Sequence, residues 1–398
     1  MLLPTAFYPL HDQIQRHLPH LRPAQMTGLA LWVGATVMAR SGCQNAVLGV
    51  LLSLGLGWHT TRQYLREWLC DGSDRAAPCG VQLEVEACFA PLLRWVLAWW
   101  QGTALTLAVD PTAKGGELVA LVVSVVYRGL AMPVAWRLQT GGQPGPWMPD
   151  LCALLDQLGP AVPSDLTVRV LCDRGLQSPD LWAAIRRQGW HPYLRYDRNM
   201  TFQATTGPRW PAWRFVAGEG QYTVTAGKAF RDRKRSCTLI VLWVPGQEAP
   251  WVVLTDEAPD DVDLGAYGMR VWIEQGFRTL KRMGWQWHRT RRVDPDRVDR
   301  HWLVLAVATL WVLAHGTRVE EARLRGLAPG RVRTPPLQPA APRIRPLSVF
   351  QLGLARVQRL LHRGHGWARV WLQPLPGPDP PWDLRWVDPP GRDQTVAH

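Results

Sequence analysis

From Leu105 onward the chain alternates short apolar runs with stretches of helical periodicity. "LTLAVDPT" (105–112) reads as a strand ending in an acid, Asp110. "LVALVVSVVYRG" and "MPVAWRLQT" follow as two more strands, with Gly129 in the connection between them. "PWMPDLCALLDQL" has helical spacing, and "LTVRVLCDRG" is a fourth strand that ends in Asp173. "SPDLWAAIRRQGW" opens with Ser178 as N-cap and Pro179 at the first helical position, and "HPYLRYDRN" is a fifth strand. The predicted order is β-β-β-α-β-α-β, with a further helix over Tyr267–Lys281 arriving later.

The flanking regions read differently. Residues 1–100 are expected to be all helical, with "MTGLALWVGATVMARSG" and "NAVLGVLLSLGLGWHTTRQYLREWL" broken at glycines. His59, Thr60, Arg62 and Arg66 decorate a short helix after a turn, which fits a DNA-binding helical region and a plain helical bundle equally. Residues 199–262 look like a β-rich insertion built from "RWPAWRFV", "GQYTVTAG", "CTLIVLWV" and "PWVVLTD", carrying Lys228, Arg231, Arg233, Lys234 and Arg235. Asp299–Gly316 is expected as a buried helix, with residues 263–316 completing what 101–198 begin. Residues 317–398 are rich in Pro and Arg around one amphipathic helix, "SVFQLGLARVQRLLHRG". The last ~25 residues, with "PLPGPDPPW", are expected to be loosely ordered. No internal repeat is visible.

Charge changes the picture. The 398 residues carry a formal net charge of +13, which favours a polyanionic partner, nucleic acid before membrane. Of the cations only Lys114, Lys228, Lys234 and Lys281 are lysine, so the position of Lys281 tells more than that of any one arginine. The seven cysteines (Cys43, Cys70, Cys79, Cys88, Cys152, Cys172, Cys237) are odd in number and form no CxxC, so neither a disulfide framework nor a zinc site is indicated. Free thiols suit a cytoplasmic compartment. The longest apolar run, Trp302–Ala314, has 13 residues and falls short of the ~20 that span a bilayer. No secretory signal is visible at the N-terminus.

The candidate chemistry lies in three acids. Asp110 and Asp173 end the first and fourth strands, which can be neighbours in an open sheet whose sites form beyond the strands' carboxyl ends. Two adjacent aspartates repel unless a cation joins them, and hard divalent ions such as Mg²⁺ prefer carboxylate oxygen. Two such ions roughly 4 Å apart serve phosphoryl transfer, given one more acid. Glu274 supplies it. On an ideal helix Tyr267, Arg270, Glu274 and Lys281 share an arc of about 60°, opposite Met269, Trp272, Ile273 and Leu280. Taken alone the row also fits a solvated face with an i,i+4 Arg270–Glu274 pair, and each aspartate alone fits a turn residue.

Taken together, these residues resemble a DDE transposase of a bacterial insertion sequence, in the group with a Y-(2)-R-(3)-E-(6)-K pattern. Tyr267, Arg270, Glu274 and Lys281 match at every spacing. "LAVDPT" and "VVYRGLAMPVAWRL" resemble the first-aspartate segment, and "LCDRGLQSPDLWAAIRRQGWHPYLR" the second. The resemblance covers about Thr103–Gly316. It implies an RNase H-like core, with Asp110, Asp173 and Glu274 as catalytic ligands of two Mg²⁺ ions, Mn²⁺ being a possible substitute. It also implies a DNA-binding set of Tyr267, Arg270 and Lys281, in which Arg270 and Lys281 hold phosphates of the transposon end while Tyr267 packs or hydrogen-bonds beside the site. The implied reaction is cleavage at terminal inverted repeats and transfer of the 3′-OH to target DNA, by a homodimer bridging two DNA ends, with no membrane involved. A cytoplasmic, nucleoid-associated location follows.

Two other readings stand beside it: an RNase H-like nuclease without strand transfer, and an inactive DNA-binding descendant. Among lesser residues, Thr112 reads as a turn-capping hydroxyl or a phosphate contact. Arg174 either faces DNA or pairs with Asp173. Trp285 and Trp287 are candidates for stacking on an extruded base, and His288–Arg297 for meeting the DNA backbone.

Overall fold

In the computed structural model, residues 2–70, 82–142, 145–205, 207–229, 235–338, 345–375 and 384–390 are described. Cys79, Arg231, Arg233, Lys234 and residues 376–382 of the proline-rich run lie outside them. The first hundred residues form α1 (Tyr8–His17), α2 (Pro23–Ala39), α3 (Gln44–Ser53), α4 (Trp58–Leu69) and α5 (Phe89–Trp99). The strands and helices that follow are β1 (Ala104–Lys114), β2 (Leu118–Tyr127), β3 (Leu130–Thr140), α6 (Trp147–Leu158), β4 (Thr167–Cys172), α7 (Pro179–Arg187) and β5 (His191–Tyr196). This is the order that the hydrophobic pattern predicts, and Ser178 does cap α7, its side chain accepting from Asp180 N–H.

Next come β6 (Thr201–Ala204), β7 (Arg209–Pro211), β8 (Gln221–Ala229), β9 (Arg235–Trp243) and β10 (Trp251–Thr255). The chain then returns to α8 (Trp272–Arg278), α9 (Pro295–Leu324), α10 (Val349–Arg363) and a short β11 (Arg385–Trp386).

All the described strands belong to one sheet of order β3-β2-β1-β4-β5-β10-β9-β8-β6-β7, with β11 beside β8. The β1-β2-β3 meander is antiparallel, while β1, β4 and β5 run parallel. The β-rich insertion is therefore not a separate layer. β10 pairs antiparallel with β5 and carries the sheet onward. The two halves bury differently. Every residue of β2 except Val119 is buried, as in a strand covered on both faces, whereas β8 is mostly half-exposed. Within "RWPAWRFV" only Arg209–Pro211 is strand; Ala212–Phe215 is a 3₁₀ turn.

The buried helix is longer than its apolar run. Asp294 caps α9, Pro295 opens it, and it continues to Leu324. Among the described residues it is the one helix long and apolar enough to cross a membrane, and its most apolar window is 94% buried inside the protein. α10 forms as its pattern predicts, with a Ser348–Gln351 capping box and a left-handed Gly364 at its end. It packs on α9 through glycines: a Cβ on Gly353 would collide with the Val312 carbonyl, and one on Gly316 with that of Val349.

Candidate active site

Strand register builds the site. Val109 of β1 pairs with Cys172 of β4, so Asp110 and Asp173, each one residue further on, stand level on adjacent parallel strands. Cys172 in turn pairs with Leu194 of β5, which brings Arg195 to the same level, its Nη1 3.7 Å from Asp173 Oδ1. Asp110 is not the last residue of its strand. β1 runs on to Lys114 because β2 continues to pair with it, and only the pairing to β4 stops at Val109. Thr112 consequently lies in the strand opposite Ala120, nearly buried, rather than capping a turn.

The third acid comes from a segment that is not one uniform helix. Tyr267–Val271 is 3₁₀, Trp272–Arg278 is α, and Thr279–Met283 is π. The change of pitch breaks the expected four-residue row. Arg270 and Glu274 stay together, but Tyr267 turns inward: it is buried, donates to the Cys172 carbonyl at 3.4 Å, and meets Trp251 edge-on at 5.7 Å. Lys281 lies beyond the π turn, half-buried, and makes no ion pair with the described residues; burial, then Arg282, lowers its pKa. Gly276 lets α8 approach the sheet, since a Cβ there would strike the Ala131 carbonyl of β3. In sequence this glycine looks like a weak point of the helix. In the fold it is the contact that sets Glu274 over the strand ends.

The three acids meet at one guanidinium. Arg270 Nη2 donates to Asp110 Oδ2 at 2.9 Å and Asp173 Oδ2 at 3.1 Å, while Nη1 donates to Glu274 Oε1 at 3.2 Å. Asp110 is the most enclosed. Burial above all, with Asp173 and Glu274 adding repulsion, pushes its carboxyl up to about 6 against the opposing pull of Arg270. Burial works against the charge on Arg270, but the surrounding acids outweigh it and raise its pKa. Burial, reinforced by Asp173, likewise raises Tyr267.

An all-carboxylate donor set of this kind suits a hard cation such as Mg²⁺ or Mn²⁺. Asp173 Oδ1, buried with no hydrogen-bond partner, is an oxygen left over for one. Among the described residues, however, no three His, Cys, Asp or Glu side chains are already gathered closely enough to hold an ion. The acids are spread around Arg270. Asp110, Asp173 and Glu274 therefore fit a divalent ion in chemical type and position once the guanidinium withdraws.

Other sequence candidates fall elsewhere. Trp285 and Trp287 are fully buried: Trp285 donates to Thr309 Oγ1 at 2.9 Å, and Trp287 packs edge-on against Trp302 at 5.0 Å. They belong to the core and are unavailable to an extruded base. Arg174 pairs with Asp197 at 3.4 Å, not with Asp173. His288, Arg289 and Arg291 are exposed, as are Arg278 and Arg282, so a basic surface flanks the segment. Arg195 was not singled out from the sequence, yet it stands beside Asp173, one residue before the end of β5. Counting from the ends of parallel strands would have found it.

Residues 148–311 match the family model described as a transposase DDE domain. The matched span holds Asp173 and all of Tyr267–Lys281, and begins after Asp110. No curated protein matches the sequence. One similar solved structure is the cryo-EM structure of piggyBac transposase in its synaptic complex with hairpin DNA. It is 10% identical with a TM-score of 0.42 over 88% of this chain and 77% of that one, a likeness of outline only. Residues 148–311 are a transposase DDE domain.

Proposed function

We propose that the protein is a DDE transposase that binds duplex DNA at the ends of its own mobile element, an insertion sequence, cleaves there, and joins the freed 3′-OH to a target. The carrying observation is that Asp110 and Asp173 stand in register on adjacent parallel strands while Glu274 reaches the same point from α8. The strand order β3-β2-β1-β4-β5, with β2 antiparallel to its neighbours, supports reading this half of the sheet as an RNase H-like core.

Asp110, Asp173 and Glu274 would hold two Mg²⁺ ions, or Mn²⁺ in their place. Such ions, when bound, activate an attacking oxygen and stabilise the leaving one. The chain's own part is positioning. Arg270 offers a planar fork of donors suited to a phosphate. Exposed Arg278, Arg282, Arg289 and Arg291 supply sequence-independent attraction for the backbone. Tyr267, locked under the acids, fixes the start of the segment that carries Arg270 and Glu274. No side chain is required as covalent nucleophile, since water or a 3′-OH attacks in line. α4 presents His59, Arg62, Gln63 and Arg66 on one exposed face, a candidate for reading the element's ends. Two ends require two active sites, hence a homodimer on DNA.

The test is a plasmid bearing this gene with its native flanks, incubated with purified protein and Mg²⁺, with the Glu274→Gln variant run in parallel and all new DNA ends mapped. Double-strand breaks at inverted repeats, absent with the variant although it still binds DNA, are the expected result. Full activity in Glu274→Gln would remove the assignment. Cuts scattered without regard to the repeats would instead indicate a nuclease.

A further inference from the structure

We propose that Arg270 is a built-in counter-ion, standing where a divalent cation would sit among Asp110, Asp173 and Glu274 in the DNA-free protein. It gives way when a DNA phosphate offers it another partner. This rests on reading those acids as the metal ligands. Metal loading would then be coupled to DNA, and the phosphoryl-transfer centre would be assembled only on its substrate.

The hydrogen bonding is that of a compromise. The guanidinium is divided among three carboxylates, with a single Nη2 shared between Asp110 and Asp173, so none of the three receives a two-pronged contact. Arg270 Nε and Asp173 Oδ1 are both buried without a hydrogen-bond partner, Arg195 standing 3.7 Å from the latter. A phosphate matches the planar fork better than three separately held acids do. A cation matches the acids better than one guanidinium does, because the three carboxylates outnumber the positive charges of Arg270 and Arg195 beside them. Guanidinium and metal ion cannot share the centre, since the oxygens facing it are already occupied and like charges repel. The cluster is also open on one side: the Glu274 side chain is 46% exposed, against 14% for Asp110. That opening continues along exposed Arg278 and Arg282, where an approaching backbone would be drawn.

Titration of the full-length protein with Mn²⁺, following free Mn²⁺ by electron paramagnetic resonance, tests this without reference to catalysis. Wild type, Arg270→Gln and Glu274→Gln are compared with and without a generic duplex oligonucleotide. Gln at 270 retains an N–H donor but loses the charge. Without DNA, Arg270→Gln is expected to bind Mn²⁺ about tenfold more tightly than wild type or better, as loss of one adjacent like charge predicts. Added duplex should tighten binding to wild type and barely change the variant, while Glu274→Gln weakens binding in both conditions.

Arg270→Gln binding no better than wild type, with Glu274→Gln still weakened, would overturn the counter-ion role and leave the metal site standing. Mn²⁺ binding indifferent to Glu274→Gln would overturn the metal site, and the counter-ion with it. The wild-type arm suffices if the variant fails to fold: unchanged Mn²⁺ affinity on adding duplex refutes the coupling.

Discussion

Two arginines in this protein each gather carboxylates from distant parts of the chain, and they are finished differently. Arg128, in the β2–β3 turn, is 3% exposed; it donates to Glu320, to Glu321 at 3.2 Å and, through Nε, to the Gln373 carbonyl at 2.7 Å. Arg345 reaches Glu320 at 3.1 Å, and Trp371 donates to Glu321 at 2.9 Å. Two acids face three guanidiniums, since Arg325 also lies 3.9 Å from Glu321. The cluster ties the turn to α9 and the C-terminal segment, and it holds Arg128 itself in a left-handed conformation (φ 45°) that a side-chain-bearing residue seldom adopts. Around Arg270 three acids face two guanidiniums, one of them 3.7 Å away, and polar atoms on both sides go unsatisfied. A buried cluster in which no acid lacks a cation is a structural joint. A half-open one with acids in excess is what we propose as a binding site.

The comparison can be broken most forcefully at Arg128. Arg128→Ala leaves two carboxylates buried, each with less compensation, and should cost about 3–5 kcal/mol in urea unfolding. Arg270→Ala should cost a small fraction of that, and Mn²⁺ should restore the loss. Equal losses in the two variants would erase the distinction. Next in size is the packing of α10 on α9, the helix that carries Glu320 and Glu321. Gly353→Ala forces α10 away from the Val312 carbonyl and should cost about 1–3 kcal/mol, measured as a lower urea midpoint with unchanged slope.

Asp299 differs from both clusters in that, among the described residues, no guanidinium forms an ion pair with it. Asp299 accepts from Trp136 Nε1 at 2.6 Å, and burial, with Glu86 adding repulsion, pushes its carboxyl up to about 7. The folded protein then holds this proton more tightly than the unfolded chain does. Its contribution to stability is therefore present at low pH and lost as pH rises from about 4 through about 7, by a few kcal/mol at most. Asp299→Asn should flatten that limb of the stability–pH curve, and an unchanged limb would remove Asp299 as its cause. The smallest effect belongs to the open side. Replacing exposed Arg282 or Arg289 with Ala should lower the slope of log K against log salt for DNA binding by about 1 each. Unaltered slopes would take them off the phosphate path.

Much of this was legible in the chain because local chemistry decides it. Alternation and caps mark β1–β5, α7 and α10, and two acids following apolar strand residues mark the level at which β1 and β4 stop pairing. The 3.6-residue period also marks Arg270 and Glu274 as neighbours. The illegible parts are decided at long range. Nothing local in "PWVVLTD" says that β10 will pair with β5 and merge the insertion into the same sheet. The inward turn of Tyr267 depends on Cys172 and Trp251, and the value of Gly276 depends on a carbonyl of β3. Trp285 and Trp287 read as available because they follow a basic segment, yet their surroundings are built by α9 and α10.

The central claim is that Asp110, Asp173 and Glu274 act as one set of metal ligands for DNA cleavage. The most direct measurement is a change of metal preference: Asp173→Cys assayed on the element's ends with Mg²⁺ and with the more thiophilic Mn²⁺. Cleavage lost in Mg²⁺ and regained in Mn²⁺, with DNA binding intact throughout, is the expected result. Full activity in Mg²⁺ would contradict it, and so would failure in both metals while Asp173→Asn remained active.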